Sequence, residues 1–362
     1  LAMVLALVMT LSLAVSASAF KDDKDISADY AEAAAVLDGM GVFEGVDGSF
    51  LPKDNITRAQ VATIIYRVAT ADTAGYGKDK SGLYATYNKF SDMTGAGWAS
   101  GYIGYAANAE YVKGYPDGTF KPSGNVTGYE VLAMILRAIG YDKNNEFSGS
   151  DWALHVAQTA QEAGILKNIK GVDLNAAASR ELVAEMLFRA IAVAPMVTYT
   201  SAFGYQTVSF DTKKDGKFFK ENETLGHKNF LLEDDDANDI WGRPTTKWFK
   251  DKNEDGKYTA KETVYAEITA KADAEFHEPT TQCDICEALS EKTSAKVVEA
   301  YVNGSTATAD VKDLLTTYKA TETKAKVGEQ GQIAEYYKVD GGYRLVVIDT
   351  YLAKVTDVVT EK

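Results

Sequence analysis

Arg58 and Arg180 each stand one residue after a hydroxyl that can begin a helix, Thr57 and Ser179. A guanidinium fork beside the free amides of a helix N-terminus is chemistry suited to a carboxylate, although an arginine in that place can also be a solvated side chain. A third such start, Thr127, is followed by Gly128 instead. Glycine there adds no side chain and costs up to about 1 kcal/mol of helix propensity, so local stability does not explain it. Two tight turns precede the first two starts, Asp47-Gly48 and Asp117-Gly118. At such a turn the backbone can approach a ligand and the Asp can bond hydroxyls, or the pair is a turn and nothing more.

Other spacings suggest other chemistries. In "DKNEDGKYTAKE", Asp251, Asn253, Asp255 and Glu262 fall where a calcium loop places its ligands, with Gly256 at the sharp turn. Flanking helices are missing, and Asp255-Gly256 between "KWFK" and "KYTA" is also a hairpin signal, the reading favoured by the alternation on both sides. The related "DTKKDGKFF" at 211–219 carries Lys213 in a ligand place, which fits a second hairpin. Calcium is thus the one possible cofactor, and none is otherwise expected. Cys283 and Cys286 form a CxxC pair that Thr281 and Asp284 would cap into a first helical turn. There is no thioredoxin-like setting, and His277 is the only nearby histidine, so a disulfide or two idle thiols is expected. No G-x-S-x-G, H-E-x-x-H or phosphate-binding glycine loop occurs, and His155, His227 and His277 lack an evident partner. No catalytic residue is assigned. The acidic run Glu233 to Asp236 reads as a solvated loop rather than as glycosidase carboxylates.

The elements that position the arginines are repeats. "DGSFLPKDNITRAQVATIIYRVA" (47–69) aligns without a gap on "DGTFKPSGNVTGYEVLAMILRAI" (117–139), and "ASRELVAEMLFRAI" (178–191) is a worn third copy that has lost its Asp-Gly turn. Thr57 with Gln60 and Thr127 with Glu130 form capping boxes, whereas Leu182 cannot complete one with Ser179. Beyond the caps, Val61, Ile64, Ile65 and Val68 fall at helical spacing, as do Val131, Met134, Ile135 and Ala138, then Val183, Met186, Leu187 and Ala190. Arg67, Arg137 and Arg189 recur three turns into these helices and read as packing or surface pairing. Alanine-rich segments at 30–41, 98–111 and 152–164 predict a second helix per copy. Trp98 and Trp152 begin two of them, where a large ring on an alanine-rich helix reads as core. A unit this small cannot bury its own apolar face, which predicts three copies packed about a pseudo-threefold axis. The insertion at 70–89 predicts an exposed loop.

The phrases "F-x-D" (Phe20 to Asp22 and Phe90 to Asp92), the "WA" dipeptides, "GYPDGTF" and "ITRAQ" together resemble S-layer homology repeats, over residues 20 to about 192. The resemblance implies an all-α, three-pronged bundle whose grooves bind a secondary cell-wall polysaccharide through its pyruvylated terminal sugar. On that resemblance the candidate ligand residues are Arg58, Arg180, Thr57, Thr127, Ser179, Asp47, Gly48, Asp117, Gly118, Trp98 and Trp152. Gly128 then implies that at most two of three grooves take the charged sugar. The implied function is non-covalent anchoring of an exported, S-layer-type surface protein to the wall. The alternative is an anchored polysaccharide hydrolase whose catalytic domain lies beyond this sequence.

Composition fits that outline. A chain of 362 residues with formal net charge −14 can hold two or three domains, and its acidity excludes general binding to nucleic acid or an anionic membrane. The apolar opening ends in Ala17-Ser18-Ala19, a secretory cleavage pattern, which predicts a signal peptide over 1–19 and no membrane association after cleavage. The missing Met and basic stretch predict a sequence clipped at its front, and the apolar run near Lys362 predicts the same at its end. Repeats are expected at about 20–72, 90–141 and 147–192 within a domain over 20–195. The remainder, 196–362, predicts a β-rich domain with hairpins and one minor helix around Val311, Leu314, Leu315 and Tyr318, able to self-associate in a surface lattice.

Overall fold

The computed structural model describes residues 20–350 apart from 76, 88, 215, 216, 279, 293, 294, 308–324 and 328–330. The leader expected at 1–19 and the helix expected around Leu314 lie outside the described residues.

Each copy begins with a short alanine-rich helix and closes with a longer capped one. The pairs are α1 (Ala31–Gly39) with α2 (Arg58–Thr70), α3 (Ser100–Asn108) with α4 (Gly128–Ala138), and α5 (Trp152–Glu162) with α6 (Arg180–Ala192). The caps form as their spacing dictates. Thr57 accepts the Gln60 amide while Gln60 accepts the Thr57 amide, and Thr127 and Glu130 do the same. Ser179 accepts the Leu182 amide with no return bond. The apolar stripes of α2, α4 and α6 are buried throughout.

The "F-x-D" openings are built into the turns. Asp22 accepts the amides of Phe50 and Leu51 at 2.7 and 2.8 Å, and Asp92 accepts those of Phe120 and Lys121 at 2.8 and 2.7 Å. The Phe20 and Phe50 rings meet at 5.2 Å, and Phe90 and Phe120 at 5.1 Å. Gly45 and Gly114 leave room for those rings, because a Cβ at either would lie within 2.7 Å of a phenyl carbon.

Every capped helix starts on a loop of another copy. The Arg58 and Ala59 amides donate to Gly124 and Pro122 of the second copy, and Tyr129 donates to Leu174 of the third. Arg180 and Glu181 donate to Asp54 and Pro52 of the first. Single β-bridges accompany these contacts at Thr57 with Asn125, Thr127 with Ala177 and Ser179 with Asn55. The unpaired amides at each helix start are thereby satisfied by a neighbouring copy, and the three contacts close a ring.

The insertion between the first two copies differs from the loop expected of it. Its residues Ser81–Tyr87 form a 3-10 helix laid on α3. Gly101 and Gly104 permit the approach, since a Cβ on either would sit 2.1 Å from the carbonyl oxygen of Ser81 or Tyr84. Tyr102 also donates its hydroxyl to Asp79 within the insertion.

The chain divides into two compact units. One holds the described residues to Asp235 together with Lys247–Glu267, and the other holds Asp236–Thr246 with the described residues from Ile268. The β-rich sequence after Pro195 contributes to both. In the first unit, strands Val197–Thr200 and Gly204–Thr207 pair, as do Ser209–Lys214 and Lys217–Asn222, and α7 (Leu225–Phe230) packs on α2 and α6. In the second, a five-stranded sheet has the order Ser305–Thr306, Val297–Val302, Gly342–Asp349, Gln332–Val339, Ala274–Phe276, and α8 (Gln282–Ala288) contributes Ile285 and Cys286 to its core. The acidic run expected to be a loop is instead the strand Leu232–Asn238, with burial alternating along it, and it joins the sheet formed by Pro244–Lys250 and Thr263–Thr269. Among the described residues no helix is long and apolar enough to cross a membrane.

Candidate functional site

Arg58 and Arg180 both turn inward rather than toward a groove mouth. Arg58 is 3% exposed, and it donates from Nε to the Phe120 carbonyl at 2.8 Å and from Nη2 to that of Lys113 at 3.1 Å. Its Nη1 pairs with Glu130 at 3.1 Å, and its carbon lies 4.6 Å from the Tyr115 ring centre and 4.8 Å from that of Phe120. Arg180, 5% exposed, repeats the arrangement on the first copy, donating to the Phe50 carbonyl at 2.7 Å and that of Glu44 at 2.9 Å over the ring of Phe43. Burial pushes both guanidinium pKa values below their ordinary value, opposed by Tyr115 and Glu130 around Arg58 and by Asp54 and Asp22 around Arg180.

Gly128 occupies the equivalent place on the third copy's loop, where no such cage exists. A Cβ on it would lie 2.8 Å from Leu174 Cδ2 and 3.1 Å from the Leu174 backbone. The position of the missing arginine thus faces the worn loop of the next repeat.

A concavity in this unit lies where the first copy meets the second. It encloses about 190 Å³, room for a small ring rather than for the roughly 300–1,000 Å³ of a drug-sized site. It is lined by Phe43, Glu44 and Gly45, by Gln60, Thr63 and Arg67 of α2, by Trp98 and Tyr102, and by Arg180. Trp98 is 42% exposed, so its ring is a surface of this groove and not core. Tyr102 is fixed from behind by Asp79 of the insertion and by Tyr66, whose ring centre is 5.2 Å away.

Of the residues singled out by sequence, Trp98 and Arg180 come together in this groove, and Arg58 and Trp152 do not line it. Trp152 is half-buried on α5 with its ring edge-on to Tyr129. The hydroxyls of Thr57, Thr127 and Ser179 are used as helix caps. Asp47 and Gly48 form a left-handed turn at φ 50° and 80°, and Asp117 bonds the amide and hydroxyl of Thr119 beside Gly118.

The calcium-like segment is a long connection between adjacent strands, not the two-residue hairpin expected. Asp251, 2% exposed, accepts the amides of Asn253 and Gly256 at 3.1 and 2.7 Å. Asp255 accepts the Lys257 amide, and Glu262 accepts from Asn253 Nδ2 and the Thr259 amide. The carboxylates hold the loop through protein N–H groups, and among the described residues no three His, Cys, Asp or Glu side chains converge as a metal site. Cys283 and Cys286 are not joined by a disulfide.

Sequence reasoning missed the roles of Asp22 and Asp92, whose recurrence in "F-x-D" was the available signal; Arg67, read as packing or surface pairing, is buried and paired with Glu44. Glu44 and Thr63 carried no signal and Gln60 only that of its cap, because the groove that gathers them exists only in three dimensions.

The S-layer homology domain family matches residues 19–62 and 89–132. The Middle cell wall protein of Brevibacillus brevis is 30% identical over 170 residues, 46% of this chain and 15% of that protein. The Surface layer protein of Brevibacillus choshinensis is 31% identical over 140 residues, 38% of this chain and 12% of its own length. The Cellulosome-anchoring protein of Acetivibrio thermocellus is 35% identical over 125 residues, 34% and 26% respectively. The chain thus spans about a quarter or less of the length of these relatives.

Proposed function

We propose that this chain, whose N-terminal part carries S-layer homology domains, is an exported surface protein held non-covalently on the cell wall. Its three copies act as one pseudo-threefold bundle, and their grooves bind an acidic, pyruvylated cell-wall polysaccharide. The observation that carries this reading is the groove between the first two copies, with an exposed indole, buried arginines and polar side chains around a space of sugar-ring size. An aromatic face gives a sugar ring a dry stacking surface, and arginine supplies charge where the chain as a whole is acidic.

The roles divide between rigidity and contact. Arg58 and Arg180 fix the turns of the next copies, Arg180 also lining the groove, while Asp22 and Asp92 hold those turns from the other side. Trp98 meets the sugar. The pairing of Gly128 with Leu174 supports fewer than three competent grooves. The β-rich remainder serves contacts between neighbouring copies in a surface layer, as the names of the relatives suggest, and the chain acts without catalysis and without a required cofactor.

The test is co-sedimentation of the full chain with wall sacculi before and after chemical removal of their polysaccharide, beside a Trp98→Ala variant. Binding should need the polysaccharide and fall at least fivefold in Trp98→Ala. Equal binding to stripped walls overturns the reading.

A further inference from the structure

Three arginines occupy the same place, the tenth residue of α2, α4 and α6, and their Nε groups have different fates. Arg137 Nε donates to Asp142 at 2.6 Å, and Arg189 Nε to the Gly164 carbonyl at 2.9 Å. Arg67 Nε is buried without a hydrogen-bond partner, in a residue only 4% exposed. A buried donor left unpaired gives up its hydration for nothing, so such groups are rare and call for an acceptor. Of the three arginines, Arg67 is the one that lines the open groove.

The rest of its guanidinium shows what that acceptor is. Arg67 Nη2 pairs with Glu44 Oε2 at 3.0 Å, while Nη1 only grazes the Val42 carbonyl at 3.5 Å. Glu44 uses one oxygen on one nitrogen, and its side chain is 53% exposed. The Nε and Nη2 edge of a guanidinium is the side that takes a carboxylate with both oxygens at once. Glu44 fills half of that edge and can swing into water, where a carboxylate is readily solvated.

We infer that Arg67 receives the carboxylate of the anchoring sugar in this groove, and that Glu44 is a built-in carboxylate which the ligand displaces. This rests on the wall-anchoring reading. The incoming group takes Nε and Nη2 together, so the orphan donor is satisfied and the ion pair is exchanged rather than lost. Arg58 and Arg180 are less suited to this task, because their Nε groups are already bound to carbonyl oxygens. The ligand class is a sugar bearing a free carboxylate, whether as a ketal or as a uronic acid. Glu44 sets a threshold: a neutral sugar cannot evict it, which makes the exchange a specificity device.

The experiment titrates the full chain with purified wall polysaccharide, intact and after carboxyl reduction to alcohols, and with free pyruvate and glucuronate as small-carboxylate probes. Glu44→Gln removes the competitor from an exposed position and should tighten binding to intact polysaccharide about fivefold. Arg67→Lys offers a point charge in place of a fork and should weaken it about tenfold. The Arg67→Lys difference should vanish on the reduced polysaccharide, which Glu44→Gln should bind better than the parent does, and displacement by one small acid over the other identifies the source of the carboxylate. If the parent chain binds intact polysaccharide while Glu44→Gln changes nothing or weakens it, this exchange is wrong and the anchoring reading stands. The exchange also fails if the Arg67→Lys loss is as large on reduced polymer. A parent chain that ignores intact polysaccharide sinks the anchoring reading and this inference with it.

Discussion

Arg58 donates its Nε proton to the main-chain oxygen of Phe120 at 2.8 Å, and the two residues belong to successive repeats. The contact ties the start of one helix to the turn of the next copy, as Arg180 does with Phe50. Removing the guanidinium takes their donor from the carbonyl oxygens of Phe120 and Lys113 and its ion-pair partner from Glu130. Arg58→Ala should therefore cost about 3 kcal/mol of stability, and Arg58→Lys should restore less than half, because a single ammonium cannot reach both carbonyls. Urea unfolding monitored by far-UV circular dichroism measures this, and an unchanged midpoint in Arg58→Ala would falsify the cage.

Gly128 predicts the reverse experiment. Restoring the arginine by Gly128→Arg drives a side chain into Leu174 and finds no aromatic turn to receive it. Overpacking of this kind costs about 1–3 kcal/mol. A lower melting temperature with no gain in wall binding is expected, and a gain in binding would show that the third copy's loop can still form a cage.

Two buried carboxyls set a pH dependence. Burial raises the pKa of Glu32, which accepts the Trp248 indole N–H at 2.7 Å, with Asp234 adding to the rise. Burial likewise raises that of Glu185, opposed by Arg189 and by the Asn168 amide and augmented by Glu32. A carboxyl whose folded pKa exceeds its unfolded one stabilises the fold while protonated, below the ordinary value of 4.5, and loses that contribution as pH rises through the folded pKa. Glu32→Gln keeps the oxygen that accepts from Trp248 and removes the charge. It should stabilise the protein at pH 7 and change little at pH 4. Glu185→Gln should behave alike, and thermal scans of both against the parent at the two pH values decide it.

Asp251 gives a test for the acidic loop. Its carboxylate accepts two main-chain amides, one from Gly256 at φ +69°. Asp251→Ala should cost about 1–3 kcal/mol in buffer with a chelator present, since the amides lose a charged acceptor. A cost that emerges only when calcium is added would return the loop to metal binding.

The capping boxes, the apolar stripes and the repeat itself were written in local sequence, because each depends on residues three or four apart on one helix. The strands "KVVEAYVNG" and "GYRLVV" were legible from their alternation for the same reason, and Val297–Val302 and Gly342–Asp349 form. Where burial is conferred by a neighbour, sequence was a poorer guide. The run Leu232–Asn238 becomes a strand because adjacent strands pair with it, despite its acids.

The site divides along the same line. By itself the sequence determined that arginines follow two helix caps and that one is missing, since these are facts of position. Only the tertiary structure decided what those arginines touch. Arg58 and Arg180 each reach a turn contributed by another copy, so Arg58 becomes a clamp on Phe120 while Gly128 answers to Leu174; Arg67, held by Glu44 of its own copy, keeps an unpaired nitrogen beside the groove. A guanidinium's role is set by which acceptors lie within about 3 Å of its nitrogens, and residues distant in the chain supply those acceptors only once the ring of repeats has closed.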